Sequence, residues 1–165
     1  MKTLQAYTKN TMHNVRRWST RHAALLERIY SRFEALLIRL RPLFERLGYQ
    51  RLEKLFCAME KVFKGFLFDC RMCGSCTLGS TGMTCPMNCP KKMRNGPCGG
   101  VRQNGHCEIK PDMPCVWLDA YTGSQQIDTG ARILRIQEPV DHQLADTSSW
   151  LRAVRQKTGE VGNGH

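Results

Sequence analysis

Eight of the nine cysteines fall between Cys70 and Cys115, and that crowding constrains the chain more than anything else in it. The segment around them, residues 67–121, is dense in glycine and proline and carries no long periodic apolar run. Such a stretch supports short loops and tight turns rather than long helices or strands. It also has too few aliphatic side chains to build a core, so ligand bonds must hold it together. No apolar segment of signal-peptide type follows the N-terminus, which points to a cytoplasmic chain whose thiols bind metal rather than pair as disulfides.

The spacing within the segment narrows the metal. Cys70, Cys73 and Cys76 are separated by two residues each. That spacing lets three thiolates converge from one tight loop and opens the ferredoxin type of motif. Zinc more often takes two isolated Cys-x2-Cys pairs joined by a longer linker. Cys85, Cys89, Cys98, Cys107 and Cys115 follow, and Cys85 and Cys89 each precede a proline, as the fourth ligand of a ferredoxin motif does. Eight thiolates suffice for two four-thiolate sites. The expectation is one or two 4Fe-4S iron–sulfur clusters, with zinc as the alternative. Which cysteines share a site is left open. Gly74, Gly96, Gly99 and Gly100 let the backbone approach closely, and Arg71, Lys91, Lys92 and Arg94 can offset the charge of metal-bound thiolates.

Nothing here points to organic catalysis by the chain alone. No Ser/His/Asp set, phosphate-binding loop, dinucleotide fingerprint or carboxylate pair is present, and neither His106 nor His142 has zinc-finger spacing to a cysteine pair. No catalytic residue and no cofactor contact beyond the metal ligands is assigned.

The fold class expected is a small α protein joined to an irregular, metal-stabilised module, in three segments. Residues 1–66 form a basic amphipathic region. Apolar residues from Met12 to Leu40, Phe33 and Leu37 among them, recur every three or four positions, and a second stripe runs from Leu43 to Phe63. Pro42 should end or kink the first helix, Gly48 interrupts the second stripe, and Gly65 is placed to cap it, giving a helical hairpin. Cys57 lies on the second stripe and reads as a buried thiol. In residues 67–121, Asn104-Gly105 between Val101 and Ile109 suggests a hairpin with a type I′ turn. Residues 122–165 read as a polar tail with one short helix, capped by Ser148 or Ser149, carrying Trp150, Leu151 and Val154 and stopped by Gly159. The last residues are expected to be disordered.

Charge is uneven. Residues 1–66 hold 14 Lys/Arg against 5 Asp/Glu, and residues 67–165 hold 11 against 9. The basic N-terminal part suits an acidic partner, a membrane surface or nucleic acid, or is simply a solvated helical face. Nucleic acid is disfavoured because no aromatics interleave with the basic residues around the cysteines. No run of apolar residues is long enough to cross a membrane.

The stretches KGFLFDCRMCGSC, CPMNCPKKMRNGPCGG, GHCEIKPDMPCVWLDAY and PVDHQLADTSSWL together resemble the methylenetetrahydrofolate reductase C-terminal domain family, over roughly residues 60 to 152. The resemblance implies a metal-binding module that accompanies a flavin-bearing reductase barrel in one-carbon metabolism. The barrel alone needs ~250 residues, so flavin and folate would lie on another polypeptide. It implies that all eight cysteines, Cys70 to Cys115, serve as ligands. Two functions follow as expectations: an electron-transfer or accessory subunit of such a reductase complex, or a structural zinc module for a reductase or methyltransferase partner. In either case the chain works in a hetero-oligomer with a flavin-containing subunit, docked through the stripe that holds Phe33 and Leu37, with Arg28, Arg32 and Arg39 at its rim.

Overall fold

The computed structural model describes residues 14–157 and Gly159. Helix α1 (14–21) turns at His22 into α2 (Ala23–Arg39), followed by the short α3 (Arg41–Leu47) and the long α4 (Tyr49–Phe68). Cysteine-bearing loops then lead to α5 (Val116–Ser124), a looped crossing and a terminal α6 (Ser149–Lys157). The described residues are mainly helical and include no extended strand.

Local sequence sets the breaks. Pro42 sits in the first turn of α3, where its missing N–H is no loss, and it cannot continue α2. Gly48, at φ +83°, separates α3 from α4. Gly65 does not cap α4: the helix runs through it, and Asp69 at φ 50° ends it by taking the left-handed conformation that Asp tolerates better than most residues. The hairpin at Asn104-Gly105 shrinks to two isolated bridges, Val101 with Cys107 and His106 with Pro114. Its turn is not type I′, because only Gly105 has positive φ. Gly105 N donates to Arg102 O at 2.8 Å and Arg102 N to His106 O at 2.9 Å, the pattern of a three-residue loop closed by a left-handed glycine. Residues 122–157 are more than a polar tail. They cross the cysteine loops as two 3₁₀ turns and return α6 to the helices, with Ser148 capping it as expected. The residues expected to be disordered beyond Gly159 lie outside the described residues.

Three apolar cores follow. Leu37, Phe44, Phe56, Trp150, Leu151 and Val154 join α2, α3, α4 and α6. Ala23, Phe68, Leu78, Met83, Cys85 and Ile127 join the helices to the first cysteine loops. Cys89, Cys107, Met113, Cys115, Val116, Trp117 and Ala120 form the third. The stripes of the helices are thus only half used. Leu37 is 4% exposed, and Phe33 is half-buried edge-on against Trp150, so neither is offered to a partner. The outward residues are Leu25, Ile29 and Leu36 on α2 and Leu55, Val62, Phe63 and Phe66 on α4.

The inward row of α4 is Phe56, Glu60, Lys64 and Phe68, one residue per turn, and its centre is charged. Glu60 and Lys64 are 1% and 2% exposed. Their ion pair, at 2.5 Å, is completed from the tail. Glu60 accepts hydrogen bonds from the Ser148 and Ser149 hydroxyls (2.7 and 2.5 Å) and from Trp150 N (3.3 Å), and Lys64 donates to Ser149 Oγ at 2.7 Å. Glu60 is therefore an anion at the N-terminus of α6, where the helix dipole favours it. The Lys64 ammonium also lies 4.9 Å from the centre of the Trp150 ring. Breaking a buried pair from one side costs about 3–5 kcal/mol, whereas removing both charges is far milder. Urea unfolding should accordingly show Lys64→Met losing that order of stability, and Lys64→Met with Glu60→Leu recovering part of the loss.

Candidate metal centre

The cysteine loop begins where α4 stops. After Asp69, Met72 (φ 46°) and Gly74 (φ 71°) also take left-handed conformations, so the chain coils within a few residues. A coil this tight turns Cys70, Cys73 and Cys76 toward one small pocket, which Cys85 also lines. The 85 loop is locked to the 70 loop: Asn88 Nδ2 donates to Phe68 O at 3.0 Å, and Arg71 Nε donates to Asn88 Oδ1 at 2.9 Å. Gly74 is required by a close approach, since a Cβ there would stand 2.2 Å from Leu144 O and 2.7 Å from Thr147 Oγ1. Asp146 N donates to Met72 O at 2.9 Å. Residues 144–147 are thus strapped over the loop.

The four thiols differ in access. Cys85 is buried, Cys70 and Cys73 are half-buried, and Cys76 is exposed. Hydrogen bonding with Cys85 holds Cys70 below the ordinary thiol range against the opposing effect of burial; the N–H of Met72 also donates to its sulfur, at 3.4 Å. The same hydrogen bond, with burial, holds Cys85 well above that range. Two buried cations attend the pocket. Arg94 reaches Cys73 Sγ at 3.8 Å and donates to Ser75 O at 3.0 Å. Lys64 is pulled down by burial, but the charges of Cys76, Tyr30 and Glu60 outweigh this and keep it protonated.

Three of the remaining four cysteines gather in a separate core. Cys89, Cys107 and Cys115 are buried in one core with Trp117. Their backbones are tied by Cys107 N to Met113 O (2.9 Å) and Cys115 N to Gly105 O (3.0 Å). Cys98 is half-buried, accepts from Gly100 N at 3.4 Å, and has Lys91 beside it. The eight thiols divide four and four along the chain. All nine cysteines are free thiols.

Cys57 is half-buried rather than buried, its thiol donating to Asp146 O at 3.0 Å, and it joins neither group. His106 bonds the carbonyl of Pro111, and His142 is exposed on a 3₁₀ turn. Of the cations expected near the thiols, Arg94 lies at the first group and Lys91 beside Cys98. Arg71 pairs with Asp69, and Lys92 is exposed. Lys64, Glu60 and the strap were missed from the sequence. Lys64 and Glu60 look like surface residues of a basic helix, and the strap's sole signal is the PVDHQLADTSSWL portion of the family resemblance.

No three His, Cys, Asp or Glu side chains among the described residues already stand as the ligands of one metal ion. The donor set of the first pocket nonetheless fits a polynuclear group: four thiols line a shared space, with the Met72 N–H and the buried Arg94 guanidinium turned toward sulfurs.

A loop-rich module of free cysteines is thus anchored on the helices and strapped by its own tail. The family model described as methylene-tetrahydrofolate reductase C terminal matches residues 49–143, more than half of the chain, and the protein belongs to that family. Comparison with curated proteins and with solved structures finds no match. No helix among the described residues is long and apolar enough to cross a membrane.

Arg94→Met removes the charged donor that holds Ser75 and Cys73. Charge-assisted hydrogen bonds contribute about 1.5–3 kcal/mol. A stability loss of that order is expected, with faster amide hydrogen exchange confined to residues 73–77, read by mass spectrometry.

Proposed function

We propose that this chain is a metal-bearing accessory subunit of a methylenetetrahydrofolate reductase-type complex, holding an iron–sulfur cluster on Cys70, Cys73, Cys76 and Cys85 and serving electron transfer to or from a flavin on the partner. The observation that carries this reading is the convergence of those four cysteines, three from one ferredoxin-like loop and the fourth from a Cys-Pro step, on a single pocket. Arg94 and Lys64 would balance the charge of the bound group, and backbone N–H groups would tune it through sulfur. The cluster, when bound, supplies one-electron chemistry; the chain supplies its position, its exclusion from water and its electrostatics.

The second group suggests a second site. Cys89, Cys98, Cys107 and Cys115 sit in a more apolar setting, and three of them are buried. We assign them a structural metal, zinc or a second cluster, that reinforces the small apolar core of the loops between 89 and 115. In the alternative reading both groups hold zinc and the module only stabilises a reductase or methyltransferase partner.

Metal analysis of protein purified without oxygen separates these readings. Iron with acid-labile sulfide and a brown chromophore is expected. Cys73→Ser should abolish the chromophore while leaving metal at the second group, and Cys107→Ser should do the reverse. Stoichiometric zinc without iron sinks the electron-transfer reading. In either case metal removal should collapse residues 70–115, seen as loss of hydrogen-exchange protection.

The partner is drawn from the family and from the outer helix faces. Leu25, Ile29 and Leu36, with Arg28, Arg32 and Arg39 exposed beside them, and Val62, Phe63 and Phe66 on α4 form apolar surface with a polar rim, which suits a protein interface. Affinity purification from the native host should recover a flavoprotein of the reductase type. Ile29→Asp with Leu36→Asp should release it while leaving the fold intact. Phe33→Asp and Leu37→Asp are unsuitable probes, because both side chains belong to the core. Recovery of a stable monomer without flavin counts against the complex.

A further inference from the structure

Cys76 has two faces. Inward it lines the four-thiol pocket, and outward it lines a separate groove open to solvent, bounded by α2, α6 and the 130–134 turn. It is the one member of its group that is exposed, and none of Cys70, Cys73 and Cys85 lines the groove.

The charge of that groove is unbalanced once its internal bonds are assigned. Its acids are Glu27 and Glu34, and its cations are Arg132, Arg152 and Lys157. Glu27 is spent on the turn that follows α5, accepting from Asp128 N at 3.0 Å and from Thr129 N and Oγ1 at 3.3 and 2.5 Å. Glu34 pairs with Lys157 at 2.8 Å. Arg132 and Arg152 have no side-chain partner among the described residues; Arg132 is exposed, and Arg152 Nε is buried with its hydrogen bond unmade. Two guanidiniums with no side-chain partner among the described residues therefore flank the groove that Cys76 lines, which holds three cations to two acids. Guanidinium forks take carboxylates in paired hydrogen bonds, and a buried N–H left unmade gains most from such an acceptor.

We propose that this groove seats an acidic segment of the partner protein, with carboxylates on Arg132 and Arg152, and so brings the partner's redox centre against Cys76. This rests on the reading above that the four-thiol group is an electron-transfer site. The exchange itself is a single electron between the one-electron donor or acceptor on the partner and the four-thiol site, with no bond made or broken in this chain. The groove is distinct from the outward faces of α2 and α4: those supply area, whereas the groove sets orientation.

Two measurements test it. In the first, the arginine Nε–Hε resonances of the full chain are followed while hexaglutamate is added at low salt. Shifts are expected at Arg132 and Arg152 and not at Arg28, Arg32 or Arg39, reversed by added salt and lost in Arg132→Glu. Shifts spread evenly over all arginines, or unchanged in Arg132→Glu, overturn the groove. In the second, the reduced, anaerobically reconstituted protein is oxidised by ferricyanide or by a cationic cobalt ammine, each taking one electron. Ferricyanide should slow by tenfold or more in Arg132→Glu and Arg132→Glu/Arg152→Gln while the cationic oxidant speeds up. Equal rates in all three proteins overturn the proposal. Arg132→Glu alone suffices if the double variant fails to fold, since Arg132 is on the surface. Absence of an iron chromophore counts instead against the proposed function, and the arginine shifts then still decide the groove.

Discussion

The ion pair of Glu60 and Lys64 holds the two ends of the described fold to one another. An unpaired charge in a protein interior costs several kcal/mol, so each of these residues is tolerable only because the other is present. The pair is satisfied further by Ser148, Ser149 and the Trp150 N–H in the first turn of α6, about 90 residues downstream. That requirement fixes where α6 can lie. Once α6 is placed, Trp150, Leu151 and Val154 fill the core between α2 and α4. Residues 144–147, just ahead of it, are then drawn across the first cysteine loop. A polar contact inside a helical core thereby helps to position the segment that crosses the first cysteine loop.

Much of the helical part was legible. The three- and four-residue apolar spacing, the break at Pro42 and the Ser148 cap are local signals, and the structure follows them over residues 14–63, Met12 lying outside the described residues. The direction in which the helices face was not legible. The apolar stripe of α4 contains Leu55, Val62 and Phe63, yet the row that turns inward is Phe56, Glu60, Lys64 and Phe68. Hydrophobic periodicity assigns Glu60 and Lys64 to water, and only their tertiary partners reverse that. Gly65 failed as a cap for a related reason: Asp69 can take the left-handed conformation, so the helix had no need to stop early.

At the cysteines the sequence carried the grouping of Cys70, Cys73 and Cys76 in its spacing, because two-residue gaps leave little freedom. It did not carry Cys85 as the fourth thiol that lines the first pocket. Cys85 and Cys89 both precede proline and look alike on paper. They part company because Asn88, between them, is bonded to Phe68 O, which keeps Cys85 by α4 and sends Cys89 toward Trp117. The hairpin expected at Asn104-Gly105 was also a matter of degree. The turn forms, but prolines and cysteines on both sides leave too little alternating sequence for strands to follow it.

The strap over Gly74 has a consequence for the order of events in a cell. Residues 144–147 are made after every cysteine of the chain. At synthesis rates of about 5–20 residues per second, the interval between Cys85 and Leu144 is roughly 3–12 s. Through that interval the first four thiols exist on a nascent chain whose closing segment has not yet been polymerised. Delivery of the proposed cluster would thus have an open period while the ribosome is still working, closed once residues 144–147 cross the loop. After release, the same delivery would first require residues 144–147 to lift away.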